Sequence, residues 1–220
     1  MAQLSISADD FGKSKKANQN ILELVKAGKI QRVSVLVDGL IKKSEPRELL
    51  GSKVKLDIHL VLPGTDYKKE QNKVIRRTFV FLGRLIAGKT TLNKVEKSWE
   101  RQIKKFKKIF CKKPQGLNSH EHVHFFPHYF KIALRLSKKY KIPHIRSASK
   151  KVINSGNKIG RVLTILNGIS KKSRTGYDYL TCLDWIGNFE KFSKNLPKGT
   201  IEIICHPERR DEYNKLIESN

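Results

Sequence analysis

Acidic residues are scarce in this sequence. Its 220 residues carry 20 Asp and Glu against 46 Lys and Arg, a formal net charge of +26. Cysteine is rarer still. Cys111, Cys182 and Cys205 form no CxxC pair, and three thiols cannot all pair within one chain. That fits a reducing, cytoplasmic setting better than a disulfide scaffold. No apolar run approaches the ~20 residues that a membrane-crossing helix needs. Residues 1–7 lack a basic start followed by an apolar block, so no secretory leader is expected. GxGxxG and Walker patterns are missing, which argues against dinucleotide-binding and P-loop folds. There is no internal repeat, low-complexity tract or linker to divide the chain, so one domain is expected over residues 1–220. What remains is ordinary globular material, 38% hydrophobic and 30% charged. A chain of this length buries roughly 70% of its unfolded surface, enough for a substantial core.

The missing acids leave basic tracts. No Asp or Glu occurs between Glu121 and Asp178, where thirteen Lys and Arg lie from Lys131 to Arg174. Residues 101–113 hold seven cations and no anion, with Ile103, Phe106 and Phe110 at helical spacing, so a helix with an apolar stripe and a basic face is predicted. Such a face suits nucleic acid, anionic lipid or an acidic substrate. Lys far outnumbers Arg, and specific phosphate readers lean on Arg. A solvated face in a Lys-rich chain is therefore the simpler account, and no specific nucleic-acid partner is expected.

Along the chain, Leu4–Ala8 reads as a first strand ending at Asp9 and Asp10. Ser14 can cap a helix to about Ala27, with Ile21, Leu22 and Val25 inward and Gly28 closing it. Arg32–Val37 and Val54–Leu62 read as strands. The following thirty polar residues read as a long loop or a short helical insert. A helix from about Asn93 to Phe110 follows, then a short strand-like segment from Gly116 to His124. Pro127–Tyr140 is helical, Ile142–Arg146 a short strand, and Ile201–Cys205 a last strand. Residues 147–200 give no clear pattern. Strands alternating with helices predict an α/β fold with a parallel sheet.

The strand ends carry the chemistry. Asp9 and Asp10 end the first strand, His59 lies near the end of the third, His120, His122 and His124 follow a middle one, and His206 follows the last. In parallel α/β folds, catalytic groups gather at the C-terminal ends of the strands. One rim would then hold carboxylates and imidazoles, the ligand set for Zn²⁺, Mn²⁺ or Fe²⁺ and in part for Mg²⁺. In an extended chain the three alternating histidines face one side together. Singly, Asp-Asp after a strand is often a turn and His59 an ordinary packed residue; their conjunction at strand ends is the stronger signal. His128 and His144 are assigned surface or packing roles.

Five segments together resemble the YdjC-like carbohydrate deacetylase family, which includes chitooligosaccharide and hopanoid-associated deacetylases. They are Ser7–Gly12 (SADDFG) with Asn18, Asp57–Leu62 (DIHLVL), Asn118–His124 (NSHEHVH) with Pro127, Ile142–Arg146 (IPHIR) and Glu202–Pro207 (EIICHP). The resemblance implies a distorted (β/α) barrel of the TIM-barrel type that removes N-acetyl groups from an amino sugar or glycoconjugate. It implies one divalent metal ion, Mg²⁺ or Zn²⁺, held by Asp10, His59 and His120. Asp9 would be the general base and His206 the general acid. Arg146 would orient Asp9 or the substrate, and His122 and His124 would line the pocket or support the ligands. Many members carry Asp at the position of Asn118, which bears more on the substrate than on the chemistry. The chain stops fourteen residues after His206, where members usually continue, so a barrel incomplete at its C-terminus is expected. Peripheral membrane contact and a homodimer are both compatible with this reading.

Two other readings compete. A different metal-dependent hydrolase, an amidohydrolase or phosphoesterase, would keep the metal, but those enzymes usually place HxH on the first strand. A basic protein that binds nucleic acid or a membrane would use residues 101–113 and 131–174, yet that sequence shows no interleaved aromatics and no RNA-binding motif.

Overall fold

Helix α1 (Lys15–Lys26) forms where Ser14 accepts the Ala17 N–H at 3.1 Å, and it ends where Gly28 takes φ 70°. The computed structural model describes residues 2–65, 91–154, 156, 158–170 and 176–219. Helix α1 buries Ala17, Ile21 and Leu24. Leu22 and Val25, expected inward, lie half-buried at the edge of that stripe because the buried face is centred one residue further round.

Among the described residues, strands and helices alternate. The strands are β1 (Ala2–Phe11), β2 (Arg32–Val35), β3 (Lys55–Leu60), β4 (Gly116–Ser119), β5 (Ala148–Val152), β6 (Tyr177–Cys182) and β7 (Gly199–Cys205). The further helices are α2 (Glu45–Gly51), α3 (Leu92–Phe110), α4 (Pro127–Tyr140), α5 (Lys158–Ser170), α6 (Phe189–Lys194) and α7 (Arg210–Ile217). All strand pairs are parallel, in the order β4-β3-β2-β1-β7-β6-β5. Parallel pairing requires crossovers, which these helices supply.

The sheet curls, and its β4 edge bridges the segment that leads into β5. Leu117 on β4 forms a parallel bridge with Ile145, three residues before β5. The Leu117 N–H donates to the His144 carbonyl at 2.9 Å, and the Arg146 N–H donates to the Leu117 carbonyl at 3.0 Å. Helix α3, capped by Thr91, covers the outside with Val95, Trp99, Ile103, Phe106 and Phe110, all buried. The predicted apolar stripe is thus present. Its basic face is partly neutralised: Arg101 and Lys105 converge on Asp38 at 2.8 Å each, and Lys104 pairs with Glu100 at 3.3 Å.

Three local expectations need correction. The strand read over Gly116–His124 stops at Ser119, because His120–Phe125 turn in a 3-10 segment with Glu121 (φ 57°) and His122 (φ 54°) left-handed. His120, His122 and His124 therefore do not share the face of an extended chain. Ile142–Arg146 contributes one bridge rather than a strand, and continuous pairing starts at Ala148. The unpatterned stretch 147–200 contains β5, α5, β6 and α6. The polar insert after Gly64 falls largely on residues 66–90, outside the described residues.

Candidate metal centre and active site

The C-terminal ends of the strands converge as their polar residues suggested. Near the end of β1 the pairing with β2 slips between Ala8 and Phe11, and Asp10 sits there at φ 69°. A non-glycine residue in that region is strained, and the strain turns a carboxylate away from the ladder and into the rim. The loop beyond is locked. The Gly12 N–H donates to Asn18 Oδ1 at 2.6 Å, and Asn18 Nδ2 donates to the Leu40 carbonyl and to Glu45 Oε2.

Asp10 meets two histidines. Its Oδ1 lies 3.3 Å from His59 Nε2 and 3.0 Å from His120 Nδ1, and donor atoms of all three residues lie within 4.8 Å of one another. The β3–β4 register sets His59 beside Asn118. Asn118 Nδ2 donates to Ser34 Oγ at 2.7 Å, which turns its Oδ1 toward His59 Nδ1 at 2.5 Å. This pairing assigns the imidazole proton to Nδ1 and leaves the Nε2 lone pair facing the Asp10 carboxylate. Two acceptors face each other there, an arrangement that a bound cation would satisfy. One carboxylate and two imidazoles form a borderline-hard donor set suited to a divalent ion such as Zn²⁺, and in part Mg²⁺.

Asp9 is buried beside this cluster. Arg146 donates to it twice, Nη1 to Oδ2 at 2.6 Å and Nη2 to Oδ1 at 2.9 Å. Arg146 Nε donates to Glu202 Oε1 at 3.0 Å, and Ser7 Oγ donates to the same oxygen at 2.7 Å. Burial alone would raise both rim carboxyls. Arg146 outweighs it at Asp9, and His120 at Asp10, so both sit below the ordinary carboxylate range and stay ionised.

His206 follows β7, its side chain 24% exposed. Its backbone N–H donates to Glu212 Oε2 at 2.8 Å, and its Nδ1 stands 3.7 Å from Glu212 Oε1, an ion-pair distance. Burial works against the imidazolium, but Glu212, Asp10 and Asp9 overcome it and raise the pKa above the ordinary histidine value. Lys13 reaches the same rim, 3.6 Å from Asp10 and 2.7 Å from Glu208.

The other two histidines of the motif serve differently. His124 is fully buried, with Nδ1 2.7 Å from Ser119 Oγ and Nε2 donating to the Arg146 carbonyl at 3.0 Å. It braces the turn against the segment that carries Arg146. Burial, then the nearby Arg146 guanidinium, pushes His122 down to about 3, so its ring is neutral. His128 is exposed, and His144 packs edge-on against Tyr177.

Sequence reasoning missed Ser34, Glu202 and Glu212 as partners of the rim, and saw Asn118 only as a departure from a motif. A signal existed for Glu202, a lone acid in the apolar run Ile201–Cys205. For Asn118 the signal is register, which needs the sheet. A separate cleft of about 1100 Å³ opens at the opposite ends of the strands, lined by Ser5, Arg32, Lys55, Gln115 and Tyr177 among others.

A family model described as YdjC-like protein matches residues 3–219. Similar proteins include a chitooligosaccharide deacetylase of Escherichia fergusonii, 26% identical over 215 residues, covering 93% of this chain and 81% of the relative. A carbohydrate deacetylase of Mus musculus is 27% identical over 135 residues, covering 57% of this chain; the match spans 44% of the relative's length, under half of it. Among solved structures, a protein of Enterococcus faecalis V583 proposed to cleave cellobiose phosphate has a similar fold. It aligns with a TM-score of 0.65 at 21% identity, over 97% of this chain and 84% of its own.

Proposed function

The chain belongs to the YdjC-like protein family, and on that premise we propose that it is a metal-dependent carbohydrate deacetylase. In this reading it is a single domain with a distorted barrel of the TIM type, working in the cytoplasm on an N-acetylated amino sugar or glycoconjugate. The supporting observation is the meeting of Asp10, His59 and His120 within 4.8 Å, beside Asp9 and on the same rim as His206. Names of relatives that specify carbohydrate and chitooligosaccharide deacetylation agree with it.

Asp10, His59 and His120 would hold the ion. A divalent cation there would supply a Lewis acid for the acetamide carbonyl and would acidify the attacking water, which suits a base as weak as Asp9. Asp9 takes the proton of that water at the carboxylate that Arg146 fixes from both sides. The Arg146–Glu202–Ser7 chain keeps that carboxylate from rotating. His206 gives a proton to the departing amine. With Nδ1 turned to Glu212, its Nε2 is the free donor, and its raised pKa keeps the ring charged toward neutral pH. Neutral His122 lines the rim without adding a competing charge.

The test is acetate release from chitooligosaccharides and other N-acetylated saccharides, run alongside metal analysis. One bound divalent ion is expected, with turnover abolished in Asp10→Ala and His120→Ala. A protein without metal whose hydrolysis survives both substitutions overturns the reading. Turnover of esters or phosphates with no acetamide hydrolysis transfers it to the other metal-hydrolase classes.

A further inference from the structure

We propose that the outer face of α5 docks on an anionic lipid surface. Helix α5 is anchored by its inner side. Leu163 packs against Val152 and Leu180, while Asn167 accepts from the Ala148 N–H at 2.9 Å and donates to the Ala148 carbonyl at 2.8 Å. A surface helix with one side so occupied normally turns polar residues outward. This one turns out Val162, Ile165 and Ile169, at 49%, 64% and 60% exposure, spaced i, i+3, i+7. Lys158 and Arg161 are exposed on the same face, and no acidic side chain pairs with either among the described residues. In α3 and α4 the reverse holds: the large apolar residues are mostly buried, and cations such as Arg135 and Lys139 meet Glu96 and Glu100.

The occupant follows from charge and side-chain type. Aliphatic residues bordered by cations that have no acidic partner among the described residues, inside a stretch without a single acid from residue 122 to 177, complement a surface that is apolar beneath and anionic above. That is the boundary of an anionic bilayer. A second copy of this chain fits poorly, since a symmetric contact would bring cations of a +26 chain against each other. Nucleic acid fits poorly because the exposed face offers no aromatic ring for base stacking. Helix α5 leaves the same end of the sheet as the metal-type cluster, so docking sets that rim beside membrane-borne molecules. The surface stands apart from the catalytic reading and does not depend on it.

The experiment is co-sedimentation with vesicles of pure phosphatidylcholine and of phosphatidylcholine mixed equally with phosphatidylglycerol. Wild type is expected to sediment only with the anionic vesicles and to be released as salt rises. The deciding variant is Ile165→Gln/Ile169→Gln, which leaves net charge unchanged and alters only exposed positions; circular dichroism checks its fold. It should lose vesicle affinity by roughly tenfold or more, because apolar insertion and charge act together. Lys158→Gln/Arg161→Gln should lose a comparable amount. Undiminished binding by the aliphatic variant overturns the proposal in favour of bulk charge. So does absent vesicle binding, whether with a dimer that the same variant dissociates or with tight binding to homopolymeric RNA.

Discussion

Arg146 holds both carboxylate oxygens of Asp9 while its Nε is held by Glu202 on β7. Three charged groups, all essentially excluded from water, form one chain across the interior of the sheet. Arg146→Lys keeps a charge but loses the fork that grips two oxygens. Acetate release is expected to fall roughly 100-fold or more, mainly in kcat, since a misplaced base penalises the chemical step. Arg146→Met leaves Asp9 and Glu202 buried without their cation, a loss of about 3–5 kcal/mol that denaturant unfolding would register. Near-wild-type turnover in Arg146→Lys would remove Arg146 from the positioning of the base.

Asn118 controls a proton on a neighbouring strand. Its amide, fixed by Ser34, directs the His59 proton to Nδ1 and frees Nε2 toward Asp10. Asn118→Leu is expected to weaken divalent-ion affinity by about 10–100-fold, as loss of a ligand's supporting partner generally does. Calorimetric titration of the apoprotein measures this without reference to turnover. Equal affinity in variant and wild type would contradict the role.

Glu212 sets the alkaline side of the pH profile. The folded pKa of His206 lies above its ordinary value, so activity that needs the imidazolium is present at lower pH and is lost as pH rises through that pKa. Glu212→Gln removes the anion, lowers the His206 pKa and moves the alkaline limb of kcat to lower pH. Stability follows the same sign: the ion pair's contribution is full below the unfolded histidine pKa and fades as pH rises through the folded one. Unfolding free energies of wild type and variant should therefore differ most in acid, while Glu212 remains ionised, and the gap should narrow at alkaline pH to what Arg209, 2.8 Å from Glu212, and the His206 backbone N–H still contribute. An unmoved limb would take His206 out of the proton transfer.

Gly12 shapes the turn that aims Asp10. Its φ is +102°, and a Cβ there would lie 2.7 Å from the Leu36 carbonyl oxygen. Gly12→Ala is expected to destabilise the fold by about 1–3 kcal/mol, the usual scale of such backbone strain. Thermal unfolding measures that cost, and metal titration shows whether Asp10 still reaches the site.

The sequence was most legible where one physical signal acted alone. Ser14 and Gly28 marked the ends of α1, and Val95 to Phe110 kept a strict helical stripe because one face of α3 is buried and the other is wet. The strand-end pattern pointed to one rim holding Asp9, Asp10, His59, the three histidines and His206, while the narrower set Asp10, His59 and His120 came from the family resemblance. The alternation of His120, His122 and His124 misled because periodicity presumes extended backbone, and Glu121 and His122 turn left-handed instead. Helix α5 escaped notice for the opposite reason. With Leu163 inward and Val162, Ile165 and Ile169 outward, both faces are apolar and no period stands out. Partners such as Ser34 and Glu212 carry no motif, since what places them is strand register and the fold-back of α7, which begins five residues after β7 ends.

The bridge between Leu117 and Ile145 has a kinetic meaning. The next residue, Arg146, closes that seam with its own backbone N–H and grips Asp9 on β1 with its side chain. Closing the seam and arming the base thus share one residue, through a contact 29 positions apart to Leu117 and one 137 positions apart to Asp9. Such distant contacts pay their loop-closure entropy late in folding. During refolding, secondary structure should return before hydrolysis does, with catalysis reporting when Arg146 takes hold of Asp9.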